Sequence, residues 1–303
     1  MFRGYKDECG KTVMDKEYLG HAVFDSLAAA ADFYHKLSYS VMSFAPLWVK
    51  TRAIINYDSY FLEAIANSII SIITVLELGH VTDAKVLFRS LYDEIIINLY
   101  FMARLKKRDD DFKNLMNDDK ILNQNLDLEE FFDVDLSDWL INNKTKSLKG
   151  TLRYDEMKKF LSQEVKLSGI VEYLDSDECK KIREWLNDAV HLNHYKSILL
   201  NDGLLCIDKQ RKIALDNFRD AFDKTIMFHV TCVFCMNPMY LMSSDYSDYM
   251  ACGMEPLADC QYNVAPFIQT YLDKTIYQAF HDWVAKLVEV ASPMRLRTLE
   301  REI

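Results

Sequence analysis

Leu76 to Asp83 reads LELGHVTD, and it decides how the chain is folded. Upstream, a helical pattern runs from Asp58 to Leu78; downstream, another runs from Asp83 to about Lys107. Gly79 and His80 supply the tight turn between them, and Thr82 is placed to cap the second helix. Two long helices joined by so short a link must lie antiparallel. The upstream helix carries the most apolar run of the chain, Ala64 to Leu76. That run includes Asn67, Ser68, Ser71 and Thr74 and falls short of the ~20 residues a membrane span needs. It reads as a buried core helix, with no membrane partner.

Composition agrees with a helical protein. The chain has 303 residues, half of them hydrophobic, with only 8 Gly and 5 Pro, too few for an all-β protein rich in turns. Seventeen Tyr and seventeen Phe predict a core of large side chains. The formal charge of -10 opposes general, field-driven binding to nucleic acid but leaves room for a local basic track. Three stretches qualify: Arg104, Lys106, Lys107 and Arg108; Lys144, Lys146, Lys149 and Arg153; and Lys209, Arg211 and Lys212. Each also reads as a solvated helix end or loop. Seven Cys, an odd count at irregular spacing, do not form a disulfide framework. The opening MFRGYKDECGK has no hydrophobic signal region, so the expected compartment is the cytoplasm.

Further out, Tyr18 to Tyr39 predicts a first helix capped by Asp15, interrupted later by Pro46. Residues 109–150 are polar and partly acidic, a surface excursion with short helical pieces. Helices are expected at Tyr154 to Lys166, after a cap at Asp175 or Ser176, at Ile213 to Met236, and at Phe267 to Val290. One β-hairpin is expected, with arms Ser197 to Leu200 and Leu204 to Ile207 around Asn201-Asp202-Gly203. Asn237 to Asn263 reads as irregular. The expected class is therefore all-α: an antiparallel helical bundle with one small β-hairpin and a C-terminal helical extension. Its divisions are an N-terminal segment at 1–56 packing on the core, a bundle at 57–242 and the extension at 243–303.

Two polar constellations stand out. The first is Arg183 to Tyr195, REWLNDAVHLNHY, where Arg183, Asn187 and His191 recur at i, i+4 and i+8. Wound as one helix, the stretch returns His194 to that face and puts Ile182, Trp185, Leu186, Ala189 and Leu192 on the other. Imidazole titrates near neutral pH and can take or give a proton there. A guanidinium can hold a phosphate by two parallel bonds, and an amide can fix the ring or a substrate oxygen. This set suffices, without a metal or other cofactor, to cleave RNA through attack by its own 2′-hydroxyl. The same stripe also reads as a polar face whose groups satisfy one another, or as a dimer interface. The second constellation is RSLYDE, in which Arg89 and Asp93 pair at i and i+4 while Glu94 points elsewhere. It is either an exposed helix pair or a buried arginine held by its acid and aimed at a neighbouring helix or an anion. Cys232-Val-Phe-Cys235 lies inside an apolar helical run, with His229 upstream and Cys252 and Cys260 downstream, and reads as buried cysteines rather than a zinc knuckle.

Taken together, a helical hairpin carrying RSLYDE and a later helix carrying LNDAVH resemble the HEPN superfamily, over roughly residues 57–242. The resemblance rests on Arg89 with Asp93, and on Leu186, Asn187, Val190 and His191. It implies a four- or five-helix up-and-down bundle that commonly dimerises. It also implies a metal-independent endoribonuclease of a toxin or antiphage defence system, or an inactive member serving as a scaffold, sensor or nucleotide-binding partner. On that reading RNA is the substrate, and the partner is a second copy or a defence-system protein. His191 is the acid or base, Arg183 or Arg89 holds the phosphate, and Asn187 is catalytic. Asp93, His194 and Tyr195 are in support. In the usual family motif four to six residues separate an Arg from the His. Here Leu186 stands where the Arg before Asn187 would be, and seven residues separate Arg183 from His191. Arg89 could supply the cation from the neighbouring helix.

Overall fold

The computed structural model describes residues 4–9, 12–41, 47–49, 52–54, 57–116, 152–201, 208–255, 264–279 and 281–290. The protein is all-α with minor β-structure. Strands β1 (Gly4–Lys6) and β2 (Thr12–Met14) form one antiparallel pair, and β3 (Leu47–Val49) and β4 (Arg52–Ile54) another. The hairpin expected at 197–207 is corrected: Tyr195–Leu199 is a short helix, and the second arm lies outside the described residues.

The helices are α1 (Lys16–Leu19), α2 (Ala22–Ser40), α3 (Tyr57–Glu77), α4 (Val81–Met116), α5 (Tyr154–Leu161), α6 (Asp177–Val190), α7 (Tyr195–Leu199), α8 (Asp208–Met236), α9 (Ser244–Ala251), α10 (Pro266–Ala279) and α11 (His281–Val290). Several bounds differ from expectation. The first expected helix is two, α1 capped by Asp15 and α2 capped by the ring of His21. Helix α4 runs on to Met116, taking in the start of the excursion, whose residues 117–150 lie outside the described residues. The stretch expected to be irregular contains α9, and the last expected helix is seen as α10 and α11, on either side of residue 280, which lies outside the described residues.

Cross-helix contacts give the directions. Tyr18 bonds the carbonyl of Leu76, and Ser38 bonds Glu63, so α2 and α3 are antiparallel. Lys85 meets Trp185 and Tyr92 meets Cys179, so α6 runs against α4. Glu178 meets Lys224 and Trp185 meets Phe218, so α8 reverses again. The sequence α2, α3, α4, α6, α8 thus alternates up and down. The last of them, α8, returns between α4 and α2: Phe88 packs on Phe218, and Tyr34 meets His229. One hydrophobic core runs from Met14 to Leu287, so the N-terminal and C-terminal segments pack on the bundle.

Helix α3 is long and apolar enough to cross a membrane by length and composition. One face of it, with Leu62, Ile65, Ile69, Ile72 and Leu76, is buried in the core, while Ile70 on another face is 50% exposed. Its C-terminus closes with His80 N–H on the carbonyl of Val75 and Gly79 N–H on that of Leu76. Gly79 takes φ +79°, and a Cβ there would lie 2.6 Å from Met14 Sδ, so the turn needs glycine twice over. The cap expected from Thr82 comes instead from 119 residues away. Asn201 Oδ1 accepts the N–H of Thr82 at 2.8 Å and of Asp83 at 3.2 Å, while the Thr82 hydroxyl donates to the carbonyl of Ser197.

Inside the ring of helices, His229 is fully buried. Its Nδ1 accepts from Tyr34 OH at 2.6 Å, and its Nε2 donates to Asn98 Oδ1 at 2.9 Å. Cys232 and Cys235 are buried in α8, as read from the sequence. Arg211, expected on a solvated helix end, is instead wholly buried, with its guanidinium 5.9 Å from the Tyr18 ring.

Candidate functional site: the seam between helices α4 and α6

Ser176 caps α6 by accepting Cys179 N–H at 3.1 Å, and Asp177 and Glu178 sit in its first turn. Ile182, Leu186 and Ala189 bury one face of α6 in the core. That seats Arg183 and Asn187 along the border with α4, both half-buried.

There the two constellations meet. Arg89 Nε donates to Asn187 Oδ1 at 2.8 Å, across 98 residues of chain. The same guanidinium, only 18% exposed, makes an ion pair through Nη1 with Asp93. Arg89 is therefore not an exposed helix pair but a half-buried arginine held by its acid and turned to a neighbouring helix. Nη1 is buried and has no hydrogen bond beyond that ion pair, and among the described residues Nη2 has no partner. Glu94 does point elsewhere, accepting Ser68 Oγ from α3 at 2.9 Å.

Arg183 stands one turn before Asn187 but turns away from Arg89. Its guanidinium lies on the face of Tyr154, 3.3 Å from the ring centroid, and its Nε is buried without a hydrogen bond. The Tyr154 hydroxyl is 3.4 Å from that of Tyr92, which in turn lies 3.2 Å from Cys179 Sγ. Burial pushes the Tyr154 phenol up to about 12 and raises the Cys179 thiol as well, so both stay protonated near neutral pH.

The far end of the stripe is corrected. Helix α6 stops at Val190, His191 is its C-cap, and Leu192 takes φ +48°. Leu192 N–H bonds the carbonyl of Ala189 and Asn193 N–H that of Asp188, the closure in which a glycine is usual. His191 remains on the Asn187 side, one turn on, with its N–H on the Asn187 carbonyl, and is exposed. His194 does not return to that face. It opens α7, and its Nε2 lies 3.7 Å from Asp188 Oδ2. Tyr195 is 73% exposed, and Leu192, expected on the buried side, is 54% exposed. With Val190 and Ile198, both exposed, they place four uncovered apolar side chains within nine residues of chain around His191.

One residue escaped the sequence reading. Lys85, a turn before Arg89, is 7% exposed, with Nζ 4.2 Å from the centroid of the Trp185 ring. Burial, then the nearby charge of Lys196, brings it down to about 8, against the pull of Asp188. A lone lysine in an apolar helix carries no signal; its partner is 100 residues on. Among the described residues, no group of three or more His, Cys, Asp and Glu side chains is gathered as for a metal ion. The seam can therefore present, on one border, a guanidinium edge, an amide, an exposed imidazole and a buried ammonium. Comparison of the chain with family models, with curated proteins and with solved structures finds no match.

Proposed function

We propose that the α4–α6 seam is the phosphodiester site of a HEPN-like, metal-independent endoribonuclease. One observation carries the reading: Arg89 crosses to α6 and bonds Asn187, a turn from His191. This supplies from another helix the cation absent at Leu186. In the proposed reaction, the exposed imidazole of His191 takes the proton of the RNA 2′-hydroxyl or gives one to the leaving 5′-oxygen. Arg89 Nη2 takes a phosphate oxygen as negative charge builds. Asn187 holds the guanidinium through its Oδ1, and Asp93 fixes it from the other side. Arg183, spread on Tyr154, supports the seam and is not the phosphate ligand.

The test is RNA cleavage in the presence of a chelator, together with growth arrest on expression, as expected of a toxin or antiphage effector. His191→Ala is expected to lose at least about 100-fold in cleavage, and Arg89→Lys to lose activity because the fork is gone. Equal cleavage by wild type and His191→Ala overturns the assignment. A second reading, a non-catalytic scaffold or sensor, is favoured by the exposed apolar side chains of Val190, Leu192, Tyr195 and Ile198. A large uncovered apolar patch is a usual mark of a protein partner. On this reading the acidic excursion at 109–143 would meet the partner, and it lies largely outside the described residues.

A further inference from the structure

Cations rest on aromatic rings along the whole side of α4 that faces α5 and α6. After Lys85 on Trp185 come Arg89 near Tyr92, Arg183 on Tyr154, Arg104 near Tyr100 and Lys107 near Phe160. At about 1.5 Å per residue the row from Lys85 to Lys107 is roughly 33 Å long. Beyond it a cleft of about 420 Å³ opens between the last turns of α4, the end of α5 and the 3₁₀ turn Val165–Leu167. That volume lies within the range of small-ligand sites.

Lysines 106, 107 and 166 line this cleft, with Asp110, Asp111 and Glu164. Formal charge balances, but engagement does not. Asp110 accepts Lys106 Nζ at 2.5 Å. Glu164, 3.9 Å from the same ammonium, also caps the 3₁₀ turn by accepting Lys166 N–H. Among the described residues lining the cleft, only the exposed Asp111 is left over. On the other side two ammonium groups make no close ion pair among the described residues. Lys107 Nζ has the Phe160 ring at 5.8 Å, and Lys166 Nζ has the carbonyl of Met236 at 3.5 Å. Among the described residues neither has a carboxylate within ion-pair distance. Burial, then the neighbouring Lys106, lowers the pKa of Lys166, against the pull of Glu164 and Asp110. An anion between these lysines would reverse that.

We propose that this cleft binds a phosphate-bearing ligand through Lys107 and Lys166, with Lys106 held by Asp110 as the third cation. The phosphate belongs either to a free nucleotide or to a single strand of RNA laid along the cation–aromatic row. The assignment does not depend on RNA cleavage at His191, which lies toward the other end of α4.

The experiment is titration calorimetry on the full chain at low salt with three probes: inorganic pyrophosphate, ATP, and a ten-nucleotide 2′-O-methyl uridine strand that its own 2′-oxygen cannot cut. At least one probe is expected to bind wild type. The Lys107→Gln/Lys166→Gln double variant is expected to bind about 10-fold more weakly or worse, as is the exposed single variant Lys107→Gln to a lesser degree. His191→Ala is expected to bind as wild type does, which separates this site from the cleavage site. Binding of ATP or pyrophosphate without the strand identifies a free phosphate ligand. Binding of the strand without ATP, weakening as salt rises, identifies the backbone. Failure of all three probes to bind, or equal binding by a folded double variant, overturns the proposal.

Discussion

At the scale of single residues, two histidines show how position decides chemistry. His191, at a helix end in solvent, is available to a substrate. His229 is sealed in the core with both ring nitrogens engaged, and burial lowers it from 6.5 to about 3. Such a group is neutral in the fold and takes a proton only on unfolding. Its contribution is complete above about pH 6.5 and is lost as pH falls toward 3, at about 1.4 kcal/mol per unit. Burial raises Asp58, Glu94 and Asp223, which acts in the opposite sense. The expected result is therefore a difference: urea melts at pH 7, 6 and 5 show wild type losing stability relative to His229→Gln as pH falls. Parallel curves would mean that His229 is not neutral at its site. Of the candidate residues, the Arg89–Asp93 pair was readable because both partners lie within one turn. The bond to Asn187 was not, because nothing in local spacing reports on a residue 98 positions away.

At the scale of elements, helix ends depend on distant groups as much as on local ones. The turn after α3 was legible, since Gly79 closes it by the backbone alone. The start of α4 was not, because its donors are met by Asn201, whose Nδ2 in turn donates to Asp83 Oδ1 at 2.7 Å. Asn201→Ala is expected to lower stability by about 1–2 kcal/mol. Asn201→Asp should do no better, since its new oxygen faces Asp83. Thermal melts check both; a melting point unchanged in Asn201→Ala would deny the cap. The end of α6 was misplaced for a related reason. A leucine at positive φ looks like a continuing apolar stripe, and only the bonds of Leu192 and Asn193 back to α6 reveal the stop. The row of rings along α4 was equally hidden, because Trp185, Tyr154 and Phe160 come from two other helices.

At the scale of the whole molecule, an acidic chain with a formal charge of -10 leaves Val190, Leu192, Tyr195 and Ile198 uncovered beside its candidate site. Leucine at φ +48° is strained, and that strain sits on a residue whose side chain is not used in the core. The ribonuclease proposed above would act as a dimer, and these exposed side chains are the face on which that is tested. Light scattering is then expected to give a dimer for wild type and a monomer for Tyr195→Glu. Leu192→Gly is expected to gain about 0.5–1 kcal/mol in the isolated subunit by relieving the backbone, while weakening the dimer. A wild type that stays monomeric at all concentrations tested would remove this interface.

Amphipathic spacing, scarce glycine and proline, and one glycine turn determined by themselves that this chain is a helical bundle with α3 and α4 antiparallel, because those signals act within a few residues. Tertiary structure alone decided that Arg89 belongs with Asn187, that Lys85 is buried on Trp185 and that His194 leaves the stripe. The physical reason is that a side chain's partner is set by which helix surfaces meet. That depends on the burial of the whole core rather than on any neighbour along the chain.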